Sequence, residues 1–208
     1  MTASRLSIYQ AAATVLGESK PVSLTENVSV RKDLDGVWDR DGVKTCLQAY
    51  LWNFATRAVE IEYSPSITPP FGYTYAFEKP DDFVRLVNIS RDEYFRHPLN
   101  EFNDDGGYWT CDLTTIWVRY ISSDTDYGFD YSKWPHNFTR FVECWFAYEV
   151  ARRVTGSGRT KEDVAGDLKM WRDLARQTDA AEEPVTFAPQ GSWSQARQGR
   201  RSERYRTR

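Results

Sequence analysis

Two histidines, three cysteines and two methionines are all that 208 residues hold of the common nitrogen and sulfur metal ligands. Cys46, Cys111 and Cys144 lie far apart with no Cys-x-x-Cys spacing, which excludes a zinc ribbon, a thioredoxin-like motif or a disulfide framework. Set among aromatic and aliphatic neighbours, they are expected as buried free thiols. His97 and His136 stand beside proline or asparagine, not a partner acid, and their spacing makes no metal pair; surface or capping roles suit them. No apolar run approaches the roughly 20 residues that cross a bilayer. The start, Met1-Thr2-Ala3-Ser4-Arg5, leads into a polar amphipathic pattern in place of a secretory signal, so a soluble protein made in the cytosol is expected.

Motifs for chemistry are equally scarce. There is no glycine-rich phosphate loop, no Gly-x-Ser-x-Gly elbow and no His-Glu-x-x-His helix. Asp124-Thr125-Asp126-Tyr127-Gly128-Phe129-Asp130 alternates acids as a calcium loop does, but an EF-hand counted from Asp124 needs glycine and glutamate where Phe129 and Pro135 stand. A solvated acidic loop is expected instead. The pairs Asp81-Asp82 and Asp104-Asp105 fall in turns, where aspartate is favoured for backbone hydrogen bonding alone. A hydrolase acting on cell-wall polymers needs two carboxylates that meet only in the fold, and nothing in the sequence announces them. The expectation is a protein without enzymatic activity, cofactor or metal.

What is present is patterned for folding. Aromatics make up 15% of the chain, including eight tryptophans and twelve tyrosines, enough for one large core and for wet-edged contact surfaces. Leu6, Tyr9, Ala13 and Leu16 recur at helical spacing before Gly17, predicting a helix over 4–16. Val30, Leu34, Val37, Val43, Leu47, Tyr50, Leu51 and Phe54 carry one apolar face through 27–54, a second helix that Gly36 and Gly42 bend or interrupt. From Thr56 the period becomes two: Arg57, Val59, Ile61 and Tyr63 alternate with polar neighbours as a strand. Short strands follow at Tyr73–Phe77 and Phe83–Ile89, the latter with a helical turn as the alternative, and Tyr108–Cys111 with Ile116–Ile121 read as a hairpin. These make a small β region over 56–121. Pro135 opens a third helix over 135–155 with Phe138, Phe141, Val142, Trp145 and Tyr148 on its stripe, and Thr160 with Asp163 caps a fourth over 160–178.

After Thr178 the periodicity stops. Residues 180–208 combine Pro184, Pro189, Gly191 and Gly199 with few aliphatics, so no core is expected there. The last fourteen residues hold six arginines and one glutamate, a net +5; since the whole chain carries −3, the remainder carries −8. Arg197, Arg200, Arg201, Arg204, Arg206 and Arg208, interleaved with Tyr205, suit bidentate contacts to carboxylates or phosphates. Trp193 has no apolar neighbours to bury it within its own segment and is the best single anchor. An acidic protein groove, a nucleic acid or solvent are the three open destinations.

An ordered series of short motifs carries a resemblance. Leu16-Gly17-Glu18 closes the first helix, Ser23-Leu24-Thr25-Glu26-Asn27 opens the second and Trp52-Asn53-Phe54-Ala55 ends it. Phe71-Gly72-Tyr73-Thr74-Tyr75-Ala76-Phe77 leads to Pro80-Asp81-Asp82-Phe83-Val84-Arg85, and Ile116-Trp117-Val118-Arg119-Tyr120-Ile121 precedes Trp134-Pro135. In this order they resemble the tail tubular protein A-like head-to-tail connector (adaptor) proteins of tailed bacteriophages, over about residues 4–178; the segment from 180 onward departs from the pattern.

The resemblance implies a virion protein that forms a ring of twelve copies beneath the portal and continues the DNA channel into the tail. It brings no catalytic or cofactor-binding residues. Its implied partners are the portal protein, a downstream tail (nozzle) protein, further copies of itself and passing double-stranded DNA held without specific contacts; no membrane is implied. The expected location is the head–tail interface of the virion, after synthesis in the bacterial host's cytoplasm. Combined with the stripes above, the expected fold is α+β, mainly α: a four-helix bundle with an inserted small antiparallel β region over 1–179, then an extended basic tail over 180–208. In that tail Trp193, Arg197, Arg200, Arg201, Arg204, Tyr205, Arg206 and Arg208 are the expected portal contacts. An acidic body also suits a channel, because it repels phosphate where neutralising cations would hold it. A nucleic-acid-binding module working through the arginine-rich tail is the alternative.

Overall fold

Ser4 starts the first helix, α1 (Arg5–Val15), through a reciprocal cap: its Oγ accepts from the Ser7 N–H at 3.1 Å, and Ser7 Oγ accepts from the Ser4 N–H at 2.8 Å. The computed structural model describes residues 3–69 and 71–182. Gly17, with φ of 74°, ends the helix, and the Glu18 N–H donates back to the Ala13 carbonyl at 2.9 Å.

The architecture differs from a four-helix bundle carrying a small β region. Five α-helices and two three-stranded antiparallel sheets make the described chain an α+β fold in which the β part is a lobe of its own. The first departure is the expected helix over 27–54, which is broken into α2 (Ser29–Trp38) and α3 (Gly42–Gln48), followed by a single 3-10 turn at Asn53–Ala55. Val37 and Val43 are six residues apart, about 240° around a helix, so the apolar stripe changes face at the break. The break is made by Asp41, which adopts a left-handed φ of 58°, and by Gly42, where a Cβ would lie 2.8 Å from the Val37 carbonyl oxygen and 3.1 Å from Phe146 Cζ.

The second departure is in the strands, β1 (Thr56–Glu62), β2 (Tyr75–Glu78), β3 (Phe83–Ser90), β4 (Asn103–Asp104), β5 (Tyr108–Cys111) and β6 (Thr115–Ser122). One sheet runs β1-β6-β3 and the other β2-β5-β4, so β5 and β6 are not the expected hairpin. β5 pairs with β2, Phe77 opposite Trp109, while β6 pairs with β1 from Thr56↔Ile121 to Glu62↔Thr115. Between β5 and β6 the chain crosses from one sheet to the other. Asp112 ties the crossing to the start of β2 by accepting from the Thr74 N–H and Oγ, each at 3.0 Å. Phe77, Trp109 and Cys111 from one sheet meet Ile89, Ile116, Val118 and Tyr120 from the other in a shared core.

The remaining helices are α4 (His136–Thr155) and α5 (Gly158–Glu182), the latter running past the expected end at 178. α1, α2, α3 and α5 all pack against α4, which is why its buried residues, Phe138, Phe141, Val142, Cys144, Phe146, Ala147 and Val150, cover more than one face. Trp52 fills the centre: it is 1% exposed, its ring lies 4.8 Å from that of Phe138, and its Nε1 donates to the Cys46 carbonyl at 3.1 Å. Burying such a side chain contributes about 3 kcal/mol. Ile121 at the end of β6 and Val84 on β3 belong to this helical core, so one sheet borders both cores.

Candidate functional site

Every residue expected to contact a portal, from Trp193 to Arg208, lies outside the described residues. Within them, the most heavily bonded polar cluster sits where the β lobe meets the helices. Asp82, just before β3, accepts from Arg57 Nη1 at 3.0 Å, from Tyr120 OH at 2.9 Å and from Ser122 Oγ. Arg57 also reaches Asp124 Oδ2 at 3.2 Å, and the Ser123 N–H donates to the Asp82 carbonyl at 2.8 Å. Burial pushes the Asp82 carboxyl up, but the hydrogen bonds from Ser122, Tyr120 and Arg57 outweigh it and hold the group below its ordinary value. Burial and the bond to Asp82 raise the Tyr120 phenol, which stays protonated. A fully donated, ionised carboxylate beside a neutral phenol fixes geometry; it is not poised to exchange a proton.

The sequence held one signal for this cluster. Arg57 falls on the Val59–Ile61 side of the alternating strand, and a charge in that position calls for a partner acid. Asp82 is that partner.

A larger groove, about 620 Å³, runs between α1 and α4 and is lined by Ser7, Gln10, Thr14, His136, Arg140 and Glu143. Glu143 is the one carboxylate among its described lining residues, paired with Arg140 at 3.1 Å. Burial raises its carboxyl and Arg140 only partly opposes the shift. A lone acid lacks the second carboxylate of a glycosidase pair. His136 instead lies edge-on to Trp171 of α5, their rings 6.3 Å apart. His97 sits in a turn with its Nδ1 3.4 Å from Asp92 Oδ1. Desolvation raises Asp92, but bonds from Ser90 Oγ and the His97 and Arg96 N–H groups bring it down to about 2.

In the Asp124–Asp130 loop, Asp124 and Asp130 also bind groups of the loop and its flank. Asp124 accepts from the Asp126 N–H at 3.1 Å, and Asp130 from the Ser132 N–H at 3.0 Å and from Lys133 at 3.1 Å. Among the described residues no three of His, Cys, Asp or Glu converge as a metal would need. All three cysteines are free and buried, and burial raises each thiol, Cys144 to about 11, so none is a thiolate at neutral pH. No described helix is long and apolar enough to cross a membrane.

Of the residues behind the resemblance, Asp82 and Tyr120 stand in the cluster where the β lobe meets the helices, and the other motifs are spread over the fold. Asn53 donates through its N–H to Asp179 Oδ1 and through Nδ2 to the Asp179 carbonyl, both at 2.9 Å, pinning the end of α5 beside the start of β1. Trp134 stacks edge-on against Phe138 at 5.0 Å and donates from Nε1 to the Gly128 carbonyl at 2.8 Å. Scanned against models of protein families and against curated proteins, the chain matches none.

Proposed function

We propose that this chain is a structural, non-catalytic head-to-tail adaptor of a bacteriophage virion, a subunit of a dodecameric ring that joins the portal to the tail nozzle and continues the DNA channel. The observation that carries it is the division of charge, a +5 segment of fourteen residues on a remainder of −8. The arginine-rich end, with Trp193, serves as the arm that holds the portal, and the acidic remainder faces DNA without binding it. The ordered motifs from Leu16-Gly17-Glu18 to Trp134-Pro135 support the same family. Sedimentation velocity of the chain with and without the portal protein tests the reading. A small species alone and a large ring with portal are expected; failure to co-sediment overturns the portal assignment.

The arginines interleaved with Tyr205 favour a second reading, a nucleic-acid-binding module acting through the tail. Filter binding across a salt series separates the two. Affinity for duplex DNA that falls steeply with salt, and that disappears when the six arginines are replaced, favours the module.

A further inference from the structure

Strand β1 is paired along one edge. β6 holds it from Thr56 to Glu62, and no other described strand borders it in the sheet. The Tyr63 N–H donates to the Thr114 carbonyl at 3.1 Å, so the alternation of an antiparallel ladder turns the N–H and C=O of Ala58 and Glu60 the opposite way. They face a seam between the two sheets. The seam closes at one end, where the Ser64 N–H donates to the Ala76 carbonyl at 2.8 Å. Along β1 it opens into a groove of about 370 Å³, flanked by Glu78, Lys79, Pro80 and Asp81. Open edges of this kind accept an added strand.

The chemistry of the groove selects what that strand should be. Arg57 is taken up by Asp82 and Asp124, and Lys79 by Asp104 at 2.6 Å. Glu60, Glu78 and Asp81 leave the lining acidic, and exposed Glu62 follows at the closed end. β1 itself alternates, with exposed Ala58, Glu60 and Glu62 against less exposed Val59 and Ile61.

The chain ends Arg204-Tyr205-Arg206-Thr207-Arg208, which also has a period of two, with strand-favouring Tyr and Thr between the arginines. Laid along β1, these residues set arginines beside Glu60 and Glu62 on the wet face, and Tyr205 and Thr207 beside Val59 and Ile61 on the inner one. Reach is ample. The α5 residue Asp179 is bonded to Asn53, just ahead of β1, and residues 183–203 at up to ~3.3 Å each far exceed the length of a seven-residue strand.

We propose that Arg204–Arg208 of the same chain adds as a strand along the open edge of β1, its arginines paired with Glu60 and Glu62. The edge is thereby covered in the unassembled subunit, with the tail held at the high effective concentration of a short tether. The β1 edge and the tail's alternation carry this independently of the adaptor reading, and the test uses the full chain alone, with no portal or DNA.

Amide hydrogen exchange is followed by NMR in the native chain, in R204E/R206E/R208E, and in that variant combined with E60R/E62R. The Ala58 and Glu60 amides should exchange at least tenfold faster in the triple variant and recover in the charge-swapped combination. The Val59 and Ile61 amides, bonded to β6, should not change and report an intact sheet. Equal exchange of Ala58 and Glu60 in native and triple variant overturns the proposal. Protection that grows with protein concentration overturns the same-chain assignment and gives the edge to a second copy.

Discussion

The helical layer and the β lobe handle aromatic side chains in opposite ways. In the helical layer Trp52, Phe138, Phe141 and Phe146 pack around a central helix and are at most 3% exposed. The β lobe keeps Phe77, Trp109 and Tyr120 between its sheets, yet also holds the exposed phenylalanine and tyrosines among the described residues: Phe71 at 86%, Tyr94 at 67% and Tyr63 at 40%. The helical layer's exposed apolar side chains are non-aromatic, Val22 at 78% and Met170 at 53%, whereas the β lobe displays aromatic rings. Displayed aromatics on a polar surface mark contact sites, so the β lobe is the better supplied of the two for meeting a partner.

The difference between the two regions is greatest at Trp52 and Phe71. Trp52→Ala should cost about 3–5 kcal/mol in urea unfolding, whereas Phe71→Ala should stay within about 0.5 kcal/mol. Similar losses would show that the lobes are not divided as described. Next is Gly128→Ala, where a Cβ would meet the Ser122 carbonyl oxygen at 2.2 Å and Leu47 Cδ1 at 2.8 Å. A loss of about 3 kcal/mol is expected in the same assay, because the loop must move off both lobes at once.

Asp82→Asn probes the joint and should cost about 1.5 kcal/mol at pH 7. Asp82 has a folded pKa below its ordinary 3.8, so its contribution is present above that value and is lost as pH falls through the folded one. The gap between native and variant stability should therefore shrink below about pH 4. Glu143, inside the helical layer, has the opposite sign. Its raised folded pKa means the ionised form costs stability at neutral pH and the cost disappears on acidification. Glu143→Gln should gain about 0.5 kcal/mol at pH 7 and nothing at pH 4, read from urea midpoints. Parallel pH slopes for the two variants would remove the distinction.

Legibility in the sequence followed the same division. α1, α4 and α5 were readable because Tyr9, Phe138, Phe141 and Val164 repeat with the helical period and face one large core. The break after Trp38 was half legible: Val43 and Leu47 fall on a different helical face from Val30, Leu34 and Val37, but the close approach of Gly42 to Val37 and Phe146 shows only in the fold. Strands β5 and β6 were visible as strands, but alternation states which residues face inward and not which backbone lies alongside. A hairpin and a crossing between facing sheets therefore look alike. The Arg57–Asp82 pair was half legible, as a charge on an apolar strand face without its partner. The expected portal contacts from Trp193 to Arg208 remain a proposal drawn from charge and resemblance.

Strand β6 also bears on how the chain assembles in time. Its register sets Thr56 opposite Ile121, so closing that single ladder draws together the two ends of the β lobe and shortens the loop between α3 and α4. α1, α2 and α3 cannot complete their core until α4 has been synthesised, while everything β6 needs precedes it in the chain. During translation the sandwich can thus form first and hold the early helices in waiting. In a ribosome-bound chain arrested after Ser122 has left the exit tunnel, the β6 amides should already be protected while those of α1 are not.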